Sequence, residues 1–229
     1  MHFIIPIIVA VFIGLASYLF SANKTKKHLR AHSKPLNSSE LEKVSQALAR
    51  SLDLSRLRVN VYDIEPVNGL AAPDGQIYIT RGFLSKFNSG EVSAAEMASV
   101  VAHELGHVAL GHSRRRMIDF SGQNALRTAL SIVLNRFIPF IGPWIANLAI
   151  TLIAARMSRK DEFEADSYAT ALMLKSGLGI KPQKNLLKKL DFLTGQSLET
   201  PAWFKSHPEV KDRLKAIEIN EKKWTGSVS

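Results

Sequence analysis

Two histidines and a glutamate share one short stretch, His103-Glu104-Leu105-Gly106-His107. Around it the apolar residues Met97, Val100, Val101, Leu105 and Val108 recur at helical spacing. On a helix, positions i and i+4 lie on one face, so both imidazoles can reach a single metal ion. Glu104 is offset by one residue, which lets its carboxylate address a metal-bound water without taking a ligand position. The chemistry implied is hydrolysis by an activated water.

Two histidines are too few, because a catalytic zinc takes three protein ligands and keeps one position open. A third ligand supplied by the same helix extension would need Gly and His where Leu110 and Ser113 stand. His112 comes one residue early and is expected to be rotated off the metal face, as a surface or helix-end histidine. The better supply is Glu162-Phe163-Glu164-Ala165-Asp166, where Glu162 and Asp166 share a helical face and Glu164 points away from it. One of the two carboxylates can bind the metal while the other holds the remaining ring nitrogen of a ligand histidine.

These motifs resemble the HtpX-like and CAAX prenyl protease-like zinc metallopeptidase family. The resemblance also rests on His207-Pro208 followed by Arg213, with weaker echoes at Asn68-Gly69-Leu70-Ala71 and from Ile77 to Gly82. It covers the chain from about Leu57 to Ile219, in the family's order. It implies one Zn(2+) per chain held by His103, His107 and Glu162, with Asp166 behind a ligand and Glu104 as general base. It places His207 near the active site, as a candidate for stabilising the oxyanion. Asn68, Gly69, Leu70 and Ala71 are similar to the family's substrate-binding edge strand, although Gly69 stands where Ala is usual. The implied function is an endopeptidase acting on membrane or membrane-proximal polypeptides, with a role in membrane protein quality control. A non-proteolytic chaperone-like or assembly factor that retains zinc is the alternative, and the intact Glu104 argues against it. CAAX-type processing is disfavoured because that branch encloses its site with several transmembrane helices.

The elements that must position these residues can be read from pattern. Leu41, Val44, Leu48 and Leu52 read as an amphipathic helix preceded by Ser39 as its N-cap, and the alternating runs Leu57 to Ile64 and Gln76 to Thr80 read as two paired strands. Ser93 and Glu96 have capping-box spacing ahead of the histidine helix, which stops near Gly111. Leu126 to Ala155 reads as two apolar helices joined at Pro139, Gly142 and Pro143, and Asp161 to Ser176 as a further helix. Short helices follow at Pro182 to Leu193 and Pro208 to Ile219. The fold class expected is α+β and mostly helical, a minimal zincin-type metallopeptidase domain with a small β-sheet, preceded by one transmembrane helix.

With 229 residues the chain has room for one catalytic unit, expected at 39–222. Its absence of cysteine excludes disulfides, thiolate chemistry and cysteine-based zinc sites, and its net charge is +10. The charges cluster beside apolar runs, at Lys24, Lys26, Lys27 and Arg30 and again at Arg156, Arg159 and Lys160, which favours a lipid bilayer surface as partner. No basic motif interleaved with aromatics is present, which argues against nucleic acid.

From Phe3 to Phe20 no residue is charged, so 1–22 is expected to be a transmembrane anchor and 23–38 a basic juxtamembrane linker. A signal peptide fits less well, since the run lacks a basic start and a small-x-small cleavage site. The positive residues after the span favour a single-pass protein of the cell (inner) membrane with a cytoplasmic catalytic domain, an extracytoplasmic domain being the alternative. His103 and His107 precede the apolar stretch and Glu162 follows it, so any crossings between them must be even in number. Two crossings of roughly 20 residues each would bury Asp119, Arg127 and Arg136 and leave no turn. The expectation for 118–156 is therefore a hairpin near the active site that dips into the membrane interface, with purely intramolecular burial as the alternative.

Compartment reporters fused after Lys34, after Arg116 and after Lys160 should accordingly all report the same side, the cytoplasm. Opposite readings at Arg116 and Lys160 would separate the three ligands and sink the site assignment, whereas uniform extracytoplasmic readings would refute only the orientation.

Overall fold

The computed structural model describes residues 4–72, 74–112, 115, 131, 138–195 and 210–226. In chain order the described elements are α1 (Ile4–Ala31), β1 (Ser33–Pro35), α2 (Ser39–Ser51), β2 (Val59–Tyr62), β3 (Gly69–Ala71), β4 (Ile77–Thr80), α3 (Arg81–Asn88) and α4 (Ala94–Ala109). They continue with α5 (Gly142–Lys175), α6 (Lys181–Gly195) and α7 (Val210–Thr225). This is a mostly helical α+β domain with one four-stranded mixed sheet.

Helix α4 is the central element, with almost every side chain from Ala94 to His107 buried. Its start is fixed locally: Ser93 Oγ accepts from the Glu96 backbone N–H at 3.3 Å, and the Glu96 carboxylate accepts from the Ser93 N–H at 2.8 Å. Lys189 of α6 adds an ion pair to Glu96 at 2.7 Å. Around α4 the core gathers Leu41 and Leu48 from α2, Ile77 and Ile79 from β4, Ala169, Leu172 and Met173 from α5, and Leu186 and Leu190 from α6.

The sheet order is β1-β2-β4-β3. The two strands expected from alternation, β2 and β4, do pair, and they do so in parallel, Val59 opposite Ile77 through Tyr62 opposite Thr80. The chain between them passes beyond β4 and returns as β3, antiparallel to β4, so that β3 forms an edge of the sheet. Thr80 ties this corner together, its hydroxyl accepting from the Asn68 N–H at 3.0 Å and from the Phe83 N–H at 3.2 Å as the N-cap of α3.

Several expectations are corrected. Residues 23–38 are not a separate linker: α1 continues to Ala31, and Ser33–Pro35 then joins the sheet against β2. The end of α1 docks there through buried Leu29 and an Arg30–Asp74 ion pair at 2.8 Å. The second arm of the apolar hairpin and the carboxylate helix are one 34-residue helix, α5, because neither Gly nor Pro interrupts the chain after Pro143 until Gly177. Most of 118–137, the first arm, lies outside the described residues. Among the described residues no helix is long and apolar enough to cross a membrane. The side chains of 1–15, on which the anchor expectation rests, lie outside the described residues.

Helices α4 and α5 cross with Gly106 against the backbone of Ala165: a Cβ on Gly106 would stand 3.0 Å from the Ala165 Cα and carbonyl oxygen. In an ordinary helix interior Gly→Ala gains about 0.5–1 kcal/mol. Here backbone must move, and overpacking costs about 1–3 kcal/mol. Gly106→Ala should therefore lower stability in urea unfolding; a stabilised variant would show that the crossing can open at no cost.

Candidate metal centre

The Gly106–Ala165 crossing brings the ligand-bearing faces of α4 and α5 together. His103, Glu104 and His107 from α4 and Glu162 and Asp166 from α5 are all buried. His103 Nε2 and His107 Nε2 are 3.2 Å apart. The two oxygens of Glu162 face one histidine each, Oε2 at 3.3 Å from His103 Nε2 and Oε1 at 3.4 Å from His107 Nε2. Nitrogen and oxygen ligands at about 2.0–2.1 Å in a tetrahedron stand roughly 3.3 Å from one another. The donor triangle thus has the dimensions of three zinc ligands, and its two imidazoles and one carboxylate are a donor set that zinc accepts.

Behind the triangle, His103 Nδ1 lies 3.0 Å from Asp166 Oδ1. The same carboxylate takes two hydrogen bonds from Arg213 of α7, each 2.7 Å long. Burial by itself would raise the Asp166 carboxyl, but the charge and hydrogen bonds of Arg213, with the hydrogen bond to His103, hold it well below the usual carboxylate range. Burial likewise works against a charged His103, yet the hydrogen bonds to Asp166 and Glu162 push it up to about 9. A buried cluster that draws a proton this strongly suits a divalent cation. The Asp166 backbone is also held, its carbonyl accepting from Thr170 at 2.8 Å and from Gln183 of α6 at 3.2 Å.

Glu104 lies beneath the edge strand. A Cβ on Gly69 would be 2.5 Å from Val100 Cγ1 and 3.4 Å from both Cγ and Oε1 of Glu104. At Gly69, β3 thus passes close over α4, which explains a glycine at this position. Asn68 pairs with Thr80 through both its backbone N–H and its carbonyl, and Leu70 and Ala71 stand opposite Tyr78 and Ile77 of β4. His207 lies outside the described residues.

His112 requires a correction in one respect: it is fully buried, not a surface residue, although it does stand at a helix end, where helix resumes after the turn at Gly111. In the structure α4 ends at Ala109, and Gly111, at φ +69, turns the chain left-handed and returns His112 against His107. The two Nδ1 atoms are 3.0 Å apart, and His112 Nε2 is 3.1 Å from Glu164 Oε2. Burial holds the His112 imidazole below its ordinary pKa against the pull of Asp161 and Glu164. Glu164 does face away from the donor triangle, toward this second group, where Arg115 and Lys160 also pair with the carboxylates of Asp161 and Glu164.

Sequence reasoning assigned no role to Arg213 or Gln183. Arg213 carried a signal, since it falls on the apolar helical face of Val210, Leu214 and Ile217, where a lone charge needs a buried partner.

A family model described as Peptidase family M48 matches residues 35–221. The chain is 28% identical over 193 residues to metalloprotease LoiP of Escherichia coli (strain K12), covering 81% of this chain and 75% of that one. It is 29% identical over 177 residues to metalloprotease YcaL of the same organism, covering 77% and 67%. Human mitochondrial metalloendopeptidase OMA1 is 25% identical over 169 residues, which is 70% of this chain and 31% of the human protein.

Breaking a buried ion pair by removing one partner costs about 3–5 kcal/mol, whereas an exposed pair contributes about 0–1 kcal/mol. Arg213→Met should therefore lower unfolding stability by several-fold more than Arg81→Met, which loses only the exposed pairs of Arg81 with Asp63 and Glu65. Comparable small losses in denaturant titrations would show that Arg213 does not hold Asp166.

Proposed function

The chain belongs to peptidase family M48, and we propose that it hydrolyses peptide bonds with one zinc ion held by His103, His107 and Glu162 and with Glu104 as general base. It is a metalloendopeptidase with protein substrates. The observation that carries the assignment of roles is the buried donor triangle with zinc-ligand dimensions. Zinc in that triangle supplies Lewis-acid polarisation of the scissile carbonyl and lowers the pKa of a water to about 7.

The protein's own groups divide the remaining work. Glu104 accepts the proton of the attacking water and passes it to the departing amine. Asp166 accepts from His103 Nδ1–H and keeps Nε2 directed at the metal, and Arg213 fixes Asp166 in turn. The edge strand formed by Asn68, Gly69, Leu70 and Ala71 receives the substrate as an added strand, laying its backbone along the face that carries Glu104. His207 is assigned to oxyanion stabilisation, on the resemblance of His207-Pro208 to the family motif.

The setting belongs to the same proposal. Residues 1–22 anchor the chain by a single span in the cell (inner) membrane, and 39–222 act on membrane or membrane-proximal proteins in quality control. The domain sits on the cytoplasmic side, the extracytoplasmic side being the alternative. Support comes from the apolar corner at the start of α5, where Phe140 is 95% and Trp144 66% exposed beside exposed Ile141, Ile145 and Leu148.

The test is Glu104→Gln, which preserves shape but cannot accept the proton. Turnover of an unfolded polypeptide should fall about 100- to 10,000-fold with zinc content unchanged, whereas Glu162→Ala should lose zinc. Near-native turnover of Glu104→Gln, at native zinc content, would mean that another group is the base.

A further inference from the structure

His103 and His107 both point Nε2 into the donor triangle; behind His103 stands the Asp166 carboxylate, and behind His107 stands the imidazole of His112. We propose that His112 is the positioning residue for His107, completing a relay Glu164–His112–His107 that fixes which nitrogen of His107 is offered to the metal. The proposal rests on the reading of His103, His107 and Glu162 as the zinc site.

An ionised Glu164 only accepts hydrogen bonds, so His112 Nε2, 3.1 Å from its Oε2, carries the hydrogen. Asp161 Oδ1, 3.8 Å from the same nitrogen, favours the same tautomer. A neutral imidazole has one N–H, which leaves His112 Nδ1 as an acceptor. His107 Nδ1, 3.0 Å away, must then be the donor. With its hydrogen on Nδ1, His107 has a lone pair on Nε2, the nitrogen that faces Glu162 and His103. The opposite tautomer would put a hydrogen where the metal must sit.

The surroundings hold the relay in place. His112 is fully buried and returned to His107 by the left-handed turn at Gly111. Arg115 pairs with Asp161, and Lys160 pairs with Glu164 at 3.4 Å. The negative charge of this second His112, Asp161 and Glu164 group is therefore already met by cations of the chain, which favours an orienting role over a second metal site.

Zinc affinity of the full chain, measured by competition with a chromogenic chelator, tests the proposal alongside Glu162→Ala. His112→Phe, which fills the space but neither accepts from His107 nor donates to Glu164, should bind zinc about 10- to 100-fold more weakly. His112→Gln, whose amide can do both, should stay within about threefold of native. A weakened Gln variant matching Phe, or native affinity in both, overturns the proposal. If Glu162→Ala also keeps native affinity, the zinc-site reading itself has failed. Ring nitrogen–proton correlation spectra of the native zinc-loaded chain decide the matter without any variant: His112 should be the Nε2–H tautomer with a bare Nδ1, and the reverse tautomer would overturn the relay even if His112→Phe does not fold.

Discussion

The distance at which α4 and α5 cross governs this site, because the donors of the proposed zinc come from both helices and none can be moved alone. Helix axes usually stay 8–10 Å apart according to the side chains at the contact. Here a glycine meets the backbone of an alanine, Gly106 on Ala165. These two residues lie between His103 and His107 on one helix and between Glu162 and Asp166 on the other. The same contact therefore serves both members of each ligand-bearing pair, and a spacing wider by a single methyl would open both edges of the donor triangle that run to Glu162.

Bringing carboxylates and imidazoles this close and burying them concentrates charge that the core must neutralise. Arg213 answers Asp166 from α7, and the Asp166 backbone is held by Thr170 and Gln183. Buried ion pairs seldom contribute net stability, although removing one partner is costly. Their effect here is better described as orientation: the Arg213 fork leaves the Asp166 carboxylate one geometry in which it also meets His103. Helix α7 is far from His103 in sequence, yet the setting of that imidazole depends on it.

What could be read from sequence is what repeats at short range. Both ligand motifs are i, i+4 pairs on helices, so periodicity placed His103 with His107 and Glu162 with Asp166 before any tertiary information. The parallel partners β2 and β4 were visible as alternating runs. Strand β1 was not, because Ser33–Pro35 has no apolar alternation and is held by pairing with β2 alone. Helix α3 escaped notice because it is short and its cap, Thr80, belongs to the preceding strand. The long α5 was divided by a change from apolar to charged composition, which does not stop a helix that lacks Gly and Pro. The burial of His112 was not legible, because a helix stop near Gly111 does not say where the chain turns next, and the φ of +69 at Gly111 returns it against His107.

The sheet enters the proposed chemistry at one point, Gly69. A strand that receives a substrate edge-on sets the height of the substrate backbone, while the general base sits on a helix, so the two must be held in fixed relation. Gly69 passes over Val100 and Glu104 at a distance that admits no side chain. Thr80 anchors Asn68 on one side and caps α3 on the other, fixing the corner from which β3 departs. Under the proposed reading, a shift of β3 away from α4 would raise the substrate from Glu104 and from the metal together. The absence of a side chain at Gly69 is then a requirement on the depth of the cleft, and it couples strand register to proton transfer.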